Sequence, residues 1–304
     1  MFASLSDIEK CVLSTKKLKR LVLAAAENTH ALEAVEQARA KGIIHPILVG
    51  DKSKIFDIAK SSGINLEGIE IHHKPDNAEA VEMSVRMIRD GSADILMKGK
   101  SSTATLLKGI LNKEWGMRKG KLLSHFALFE IPSYHKLLAL TDVAINMNPD
   151  LKDKVAILEN SVAFMNGLGW ERPKVAIIAA VEVVNKAMVA TLDAASIKAM
   201  ARNGQLENCL VDGPMALDSA INKESARQKN ISAEIGGDAD LLLFPQLESG
   251  NVMYKSLAFL AGGSAASVVL GASAPVVLTS RADSNESKLN SIILAAADGA
   301  FLNV

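Results

Sequence analysis

Near the carboxyl end of the sequence, a serine and an arginine stand together where an aliphatic run ends. The segment VVLTSRADSNES, residues 276–287, carries Ser280, Arg281 and Asp283 directly after its apolar stretch. Arginine presents a planar fork of donors that binds phosphate oxygens bidentately and keeps its charge. The serine hydroxyl is suited to bonding a carbonyl or a phosphate oxygen. The pair predicts a reaction centre that binds an anion, with capping of the last helix by Asp283 and Ser284 as the structural alternative.

A second polar segment, KGKSSTATLLKG at residues 98–109, follows the run ADILM. Hydroxyl groups and the free N–H groups of a helix start suit an anion. A nucleotide P-loop is excluded, because that motif requires a glycine where Asp94 stands. Two interpretations remain equal, an anion cradle or a capped helix with solvated lysines. The candidate binding residues are Lys98, Gly99, Ser101, Ser102, Thr103 and Lys108.

Two further segments place polar side chains beside aliphatic runs. In LLSHFALFEIP, Ser124 and His125 begin a stretch typical of a buried strand, where a lone histidine is more often a hydrogen-bonded core residue than a catalyst. In FPQLESGNVMYKS, Ser249, Gly250 and Asn251 fall where a strand ends and a helix begins. An ordinary capped turn is the simpler explanation of that segment taken alone. All five residues are candidates for lining a substrate site.

The rest of the chain indicates how these segments are positioned. Of the 304 residues, 49% are hydrophobic and only 4% are aromatic, which suits helices packed on buried parallel strands. Aliphatic runs alternate with amphipathic stretches, and this predicts βαβ units in a doubly wound, mostly parallel sheet. Strands are predicted at 20–25, 46–49, 69–72, 95–97, 122–129, 174–179, 204–211, 241–244, 267–270 and 276–278. Helices are predicted at 29–41, 52–61, 77–89, 103–112, 151–168, 187–202, 215–226, 252–260 and 286–301.

Charge, cysteines and absent motifs argue against several classes of function. Lys plus Arg equals Asp plus Glu at 34 each, so charge does not favour a nucleic-acid or membrane partner. Two distant cysteines and the lack of a signal peptide predict a cytoplasmic protein. No HExxH or CxxC pattern occurs, so no metal site is expected. A GxGxxG fingerprint after a strand and a GxSxG elbow are likewise missing.

In order along the chain, the polar segments lie in longer stretches that resemble the phosphate acetyl/butyryltransferases, and the butyryl branch most closely. The stretches are LMKGKSSTATLLKGILNKEWGMRKGKLLSHFALFEIPSYHKLL, TDVAINMNPDL, VAIIAAVEVVNKAMVATLDAA, VDGPMALDSAI, ADLLLFPQLESGNVMYKSL and APVVLTSRADS. They cover most of the chain from Ile95 to the carboxyl terminus, with weaker likeness before it. The resemblance, rather than the periodicity, supplies a named reaction.

That resemblance implies a phosphotransacylase, which reversibly transfers a short-chain acyl group between CoA and inorganic phosphate through a ternary complex. CoA or acyl-CoA and phosphate or acyl phosphate are then the substrates, and no cofactor is bound permanently. The implied fold is α/β, with two doubly wound lobes around a cleft as in isocitrate and isopropylmalate dehydrogenases, in a homodimer. We predict a first lobe of residues 1–132 plus 275–304, and a second lobe of 133–274 with the CoA-side wall and the dimer contacts. Two apolar stretches between residues 122 and 146, predicted as antiparallel strands, mark the passage between the lobes.

By the same resemblance, Arg281 binds the phosphoryl group and Ser280 stabilises the reacting centre. Lys108 stands where acetyl-specific relatives carry an arginine for the same phosphate. The segment of Ser249, Gly250 and Asn251 would shape the CoA side of the cleft.

The sequence departs from the acetyl-specific pattern at two further positions. Ser287 replaces an aspartate that is proposed as the base for the CoA thiol in those relatives. Asp283 and Glu286 are then the candidate bases, and no base is needed where the CoA thiol is already ionised. Phe259 replaces another arginine. Fewer arginines and an added aromatic ring favour a butyryl or branched acyl group.

Two other functions remain as alternatives. The first is an NAD-dependent hydroxyacid dehydrogenase of the same fold, against which the missing dinucleotide fingerprint and metal carboxylates argue. The second is a catalytically impaired protein that binds CoA or another metabolite. Loss of the family aspartate favours it, whereas the intact Ser280 and Arg281 argue against it.

Replacement of Arg281 tests the predicted phosphate clamp. We expect Arg281→Ala to lower turnover and to weaken the use of phosphate by about 1.5–3 kcal/mol, the size of a hydrogen bond to a charged group. Initial rates measured against phosphate concentration give the effect. A wild-type phosphate dependence in this variant would move the anion site elsewhere.

Overall fold

Contacts between residues divide the chain into two units. The computed structural model describes residues 2–120, 122–232, 234–280 and 283–298. The terminal unit comprises Ser6–Gly120 and the described residues from Ala266 onwards. The central unit comprises the described residues up to Leu5 and those of Lys121–Ala265.

Strands and helices alternate along most of the described chain. The strands are β1 (Lys19–Ala24), β2 (Ile44–Gly50), β3 (Glu70–His73), β4 (Ile95–Lys98), β5 (Ser124–Glu130), β6 (Leu138–Thr141), β7 (Lys174–Ile178), β8 (Leu210–Met215), β9 (Leu241–Leu243), β10 (Ser264–Leu270) and β11 (Val276–Val277). The helices are α1 (Leu5–Ser14), α2 (Thr29–Ala40), α3 (Lys52–Ser62), α4 (Asn77–Arg89), α5 (Thr103–Ile110), α6 (Leu151–Gly167), α7 (Val189–Arg202), α8 (Leu217–Ile221), α9 (Lys223–Gln228), α10 (Leu247–Phe259) and α11 (Asn285–Ala296). Among the described residues, none of these helices combines the length and apolar character that crossing a membrane requires.

In the terminal unit, the strand order is β3-β2-β1-β4-β11-β10. The pairs are parallel except for β10 with β11. The chain proceeds from β1 to β2 and β3 on one side and then returns to β4 on the other. The edge between β1 and β4 is therefore a topological switch point, the position where open α/β sheets bind ligands beyond the carboxyl ends of their strands.

Side-chain caps fix where the helices of the terminal unit begin. The caps of α2, α3, α4, α5 and α11 accept hydrogen bonds from backbone N–H groups of the first turn, which satisfies donors that the helix leaves free. These caps are Asn28, Asp51, Asp76, Ser102 and Ser284. Each cap lies a few residues after the end of a strand. The polar turns of the sequence are therefore short strand-to-helix connections at the carboxyl ends of the strands.

In the central unit, the strand order is β5-β6-β9-β7-β8, with β5 antiparallel to β6 and the other pairs parallel. The register Leu128↔Ala139 confirms the antiparallel pair predicted between residues 122 and 146. A core of aliphatic and aromatic side chains covers these strands, and it includes Phe129, Leu140 and Leu242. The α/β class with a mostly parallel sheet is confirmed.

The unit boundaries lie at residues 120 and 265, whereas the sequence predicts lobe boundaries at 132 and 274. Residues 124–130 join the central unit because β5 pairs with β6 and Phe129 packs in the central core. Residues 266–274 belong to the terminal unit because β10 pairs with β11 through Val269 and Val276. In both places strand pairing, which is not visible in a hydrophobic pattern, sets the boundary.

Several element predictions are wrong. The strand predicted at 204–211 is β8, which starts later because Gly204 adopts a positive φ of 74° in the turn after α7. Pro214 lies inside β8, which is tolerated because β8 is an edge strand and needs fewer N–H donors. The helix predicted at 215–226 is interrupted at Asn222, whose side chain caps α9. The sequence also missed α1, which buries Ile8 and Val12 one turn apart.

Candidate functional site

The turn after β4 is held tightly against the turn after β1. The N–H groups of Gly99 and Lys100 donate to the carbonyls of Ala24 and Ala25 at 2.8 and 2.7 Å. A Cβ on Gly99 would overlap the Ala25 carbonyl oxygen and would lie 2.8 Å from that of Ala24. Glycine is therefore required at position 99, because a backbone segment occupies the space of a side chain.

The polar side chains of this segment divide into structural and unsatisfied groups. The Lys98 ammonium donates to the carbonyls of Gly99 and Ser101 at 3.2 and 3.3 Å, which braces the turn. The Ser102 hydroxyl accepts the N–H of Thr105 at 3.0 Å and caps α5. Ser101 is 1% exposed, and its hydroxyl has no hydrogen-bond partner. The helix-cap interpretation is therefore correct for Ser102, while the anion-cradle interpretation of the segment stays a prediction.

Thr103 and Lys108 lie in the first and last turns of α5. Thr103 is exposed at the first residue of the helix and Lys108 is exposed in its last turn. Lys108 lies five residues beyond Thr103, which places its backbone about 7.5 Å further along the helix axis. Thr103 is at the helix N-terminus with the other candidates, whereas Lys108 is displaced from it.

Ser280 leaves the sheet at the same edge as this segment. β11 is parallel to β4, with Val277 opposite Met97, and Ser280 and Lys100 each lie three residues beyond those partners. The Ser280 N–H donates to the Asp283 carboxylate at 2.6 Å. The structure therefore brings Ser280 and residues 98–103 to neighbouring strand exits. Arg281 lies outside the described residues.

Asp283 and the residues after it organise the start of α11. The carbonyl of Asp283 accepts a hydrogen bond from the Lys288 ammonium, and Ser284 caps the helix by accepting the Ser287 N–H at 3.0 Å. Burial lowers the pKa of the Lys288 ammonium against the opposing effect of the Asp283 and Glu33 charges. The helix-cap interpretation is thus correct for Ser284, while Asp283 fixes the turn that carries Ser280.

In the central unit, Ser124 and His125 lie at the start of β5 and are buried. The Ser124 hydroxyl accepts a hydrogen bond from the Asn160 amide at 3.1 Å. The His125 ring stands edge-on to Tyr254, with ring centres 6.5 Å apart, and the His125 carbonyl accepts the Thr141 hydroxyl at 3.2 Å. Because β5 is antiparallel to β6, these residues lie beside the carboxyl end of β6.

Residues 249–251 belong to α10, which begins at Leu247 rather than at the predicted residue 252. A Cβ on Gly250 would overlap the Asp142 carbonyl oxygen and lie 3.2 Å from the Val143 Cα. The Asn251 amide donates to the Val143 carbonyl at 3.0 Å, and the Ser249 hydroxyl donates to the Gln246 carbonyl at 2.8 Å. A glycine in the first turn disfavours a helix locally, but close packing on the turn after β6 requires it.

Two acidic residues at strand exits were missed by the sequence analysis. Asp142 follows β6, is 3% exposed and accepts the N–H groups of Ala144 and Ile145 at 2.8 and 3.0 Å. Glu27 follows β1, is 7% exposed and has a carboxylate oxygen without a hydrogen-bond partner. Each follows an aliphatic run, the same signal that selected Lys98 and Ser280. Within the described ranges, no group of three His, Cys, Asp or Glu side chains is arranged to hold a metal ion.

The sequence of the whole chain matches a known protein family. The family model for phosphate acetyl/butaryl transferase matches residues 5–86 and 72–296. The chain belongs to this family. It is 46% identical over 296 residues to the phosphate butyryltransferase of Clostridium acetobutylicum, covering 97% of this chain and 98% of that protein. The resemblance deduced from the sequence is confirmed, and the chain is an acyltransferase.

Solved structures agree with the fold. A branched-chain phosphotransacylase from Enterococcus faecalis superposes with a TM-score of 0.82 at 30% identity, over 93% of this chain and 99% of that chain. A 4-hydroxythreonine-4-phosphate dehydrogenase from Klebsiella pneumoniae superposes with a TM-score of 0.55 at 13% identity, over 92% of this chain and 100% of that chain. This second likeness concerns the fold alone, and it agrees with the dehydrogenase-like class expected from the sequence.

Two substitutions of Asp283 separate a proton acceptor from a structural acceptor. Asp283→Asn keeps an oxygen for the Ser280 N–H but does not titrate, whereas Asp283→Ala removes the acceptor. We expect Asp283→Asn to retain most activity and Asp283→Ala to lose about tenfold or more in kcat/KM, because a hydrogen bond to a charged group is worth about 1.5–3 kcal/mol. Steady-state rates across pH measure both effects. Equal losses, with an altered pH profile in Asp283→Asn, would show that Asp283 acts as the base.

Proposed function

We propose that the chain transfers a butyryl or branched short-chain acyl group reversibly between CoA and inorganic phosphate. The observation that carries this proposal is the near full-length similarity to a protein named as a phosphate butyryltransferase and to a branched-chain phosphotransacylase structure. CoA and phosphate are substrates in this chemistry, and no permanently bound cofactor is needed. The cytoplasmic location remains a prediction.

The terminal unit supplies the anion site in this proposal. When phosphate attacks the thioester carbonyl, the enzyme must hold a doubly charged nucleophile and stabilise the oxyanion that forms. We assign phosphate binding to Ser280 and Arg281 and to the adjacent residues 98–103. Support comes from the parallel exits of β4 and β11, which bring Ser280 and residues 98–103 to neighbouring positions. Lys108 adds positive charge at longer range.

Asp283 is assigned a positioning role rather than that of the thiol base. Its carboxylate accepts the Ser280 N–H at 2.6 Å, so it holds the turn in which the reacting serine lies. Glu286 lies exposed in the first turn of α11. A CoA thiolate that leaves as the anion needs no base in the direction that forms acyl phosphate.

The central unit supplies the CoA side in this proposal, with the first turn of α10 as its wall. Ser249, Gly250 and Asn251 act mainly through the backbone, because their contacts fix α10 against the turn after β6. Phe259 is not part of that wall. It lies ten residues beyond Ser249, about 15 Å along the helix axis, and is 61% exposed.

A panel of thioesters tests the reaction and the acyl preference together. With saturating phosphate, we expect release of free thiol from acetyl-, propionyl-, butyryl- and isobutyryl-CoA, with the highest kcat/KM for butyryl- or isobutyryl-CoA. Following free thiol spectrophotometrically gives each rate. Omission of phosphate is the control, since a ternary mechanism releases no thiol without it.

Two results of this panel would contradict the proposal. Absence of thiol release with every thioester would remove the transferase activity and favour a protein that only binds CoA. A higher kcat/KM for acetyl-CoA than for the longer thioesters would overturn the acyl preference but keep the reaction. The dehydrogenase alternative has no support beyond a shared fold.

We also propose a homodimer that buries the outer face of α10. Val252 and Phe259 lie seven residues apart on one helix face and are 64% and 61% exposed, and the adjacent Leu260 is 86% exposed. Exposed apolar patches of this kind commonly mark contacts between proteins.

Light scattering tests this association. We expect twice the 32.3 kDa chain mass for the wild type and a shift towards the monomer for Phe259→Glu. Glu248→Gln, in the first turn of the same helix, is the control and should remain dimeric. A monomeric wild type at micromolar concentration would reject the dimer.

A further inference from the structure

Lys288 of α11 is buried next to the turn that carries Ser280. It lies in the first half of the helix and is 5% exposed. Its ammonium donates to the backbone carbonyl of Asp283, the residue whose carboxylate accepts the Ser280 N–H. Lysine is almost never fully buried unless it is paired, so this position needs a reason beyond packing.

Two local effects disfavour a charged lysine at this position. Burial removes water from the ammonium and lowers the pKa of Lys288, although the charges of Asp283 and Glu33 raise it. Because the folded protein lowers this pKa, the charged form costs stability at every pH below it. The residue also lies near the start of α11, where the helix dipole favours negative rather than positive charge. Lys288 is therefore a residue whose charge the fold itself does not favour.

The Lys288 side chain connects the turn of Ser280 to the sheet of the terminal unit. Asp283 holds Ser280 through its carboxylate at 2.6 Å, and Lys288 holds Asp283 through the backbone carbonyl. Three residues further along α11, the Ser291 hydroxyl accepts the N–H of Ser267 in β10 at 2.9 Å. The turn is thus tied to α11 by Lys288, and α11 is tied to β10.

The start of α11 also contacts α2. The Asn285 amide donates to the Glu33 carboxylate at 2.9 Å, and the His30 ring nitrogen lies 3.4 Å from the same carboxylate oxygen. Glu33 contributes one of the two negative charges that act on Lys288. Since the pKa of Lys288 stays lowered, these charges do not compensate its burial fully, and positive charge remains beside the Ser280 turn.

We infer that Lys288 is a positioning residue for the phosphate substrate, which anchors the turn of Ser280 and supplies positive charge beside it. It acts through Asp283 rather than by contact with the anion. The inference rests on the proposed function, which assigns phosphate binding to Ser280 and its neighbours. An anchored turn holds Ser280 in one geometry before phosphate arrives, so less entropy is lost on binding. A buried charge is also screened less by solvent than the exposed Lys108.

The test compares the KM for phosphate with the KM for butyryl-CoA in Lys288→Met. Methionine is flexible and apolar, so it fills similar space but carries neither the charge nor the N–H donors. In the thiol-release assay we expect the KM for phosphate to rise about tenfold, which is about 1.4 kcal/mol, and the KM for butyryl-CoA to keep its wild-type value. The melting temperature should equal or exceed that of the wild type, because a buried charge has been removed.

Two further variants serve as controls. Lys288→Arg keeps the charge and the donors, so it should recover most of the affinity for phosphate. Lys60→Met removes an exposed lysine from the last turn of α3 in the same unit, and it should change neither KM. A similar rise of the phosphate KM in Lys60→Met and in Lys288→Met would be an effect of net charge alone and would overturn the inference.

A purely structural role gives a different result. A folded Lys288→Met protein in which the ratio of the two KM values is unchanged would overturn the inference, whatever its melting temperature. Lys288→Gln, which is also neutral, takes its place if Lys288→Met does not fold. Failure of both neutral variants to fold beside a folded Lys288→Arg would show that the charge serves the fold, which would also overturn the inference.

Failure of the proposed function is a separate outcome. If the wild type releases no thiol from any thioester, titration calorimetry with inorganic phosphate and with CoA takes the place of the assay. Weaker binding of phosphate by Lys288→Met, with unchanged binding of CoA, would still support Lys288 as a positioning residue. Equal binding of phosphate by the wild type and the variant would reject it, and so would a wild type that binds no phosphate.

Discussion

Strand β4 is hydrogen-bonded on both sides, to β1 and to β11, and the candidate chemistry of the terminal unit depends on this pairing. All three strands are parallel, so their carboxyl ends open at one edge. The turns that carry Glu27, Lys98–Thr103 and Ser280 are neighbours for that reason, although Ser280 is far from the others in sequence. Gly99 makes the arrangement possible because the Ala25 carbonyl occupies the place of its side chain.

In the central unit, a glycine likewise allows close backbone packing at the turn after β6. The Asp142 carbonyl takes the place that a side chain at Gly250 would need, and the Asn251 amide bonds the next carbonyl along that turn. In the terminal unit, a Cβ on Gly50 would overlap the Glu27 carboxylate and would lie 2.9 Å from the backbone nitrogen of Ala26. Glycines at strand exits thus let one backbone approach another closely, and their polar neighbours hold the approach in a single geometry.

Ion pairs hold together the amino ends of the parallel strands in the central sheet. Lys136 precedes β6, Lys174 begins β7, and Asp238 and Asp240 precede β9, so their side chains meet at the amino ends of parallel strands. The Lys136 ammonium lies 2.6 Å from the Asp240 carboxylate. Burial raises the pKa of Asp238, but the donors Lys174 and His135 and the charge of Lys136 outweigh it and hold that pKa well below its usual range. Paired charges stabilise the amino ends of these strands.

The sequence by itself determined the class of fold, most of the helices and strands, and the polar segments that follow the strands. The spacing of aliphatic residues, the helix caps and the short motifs that predict them are all local properties of the chain. It also determined the family, since the segments around Ser280 and Lys98 are long and ordered. Only the tertiary structure decided the unit boundaries, the helical start of α10 and the unsatisfied oxygens of Glu27 and Ser101. Those features depend on which strands pair and which atoms lose water, and both are set by residues distant in the chain.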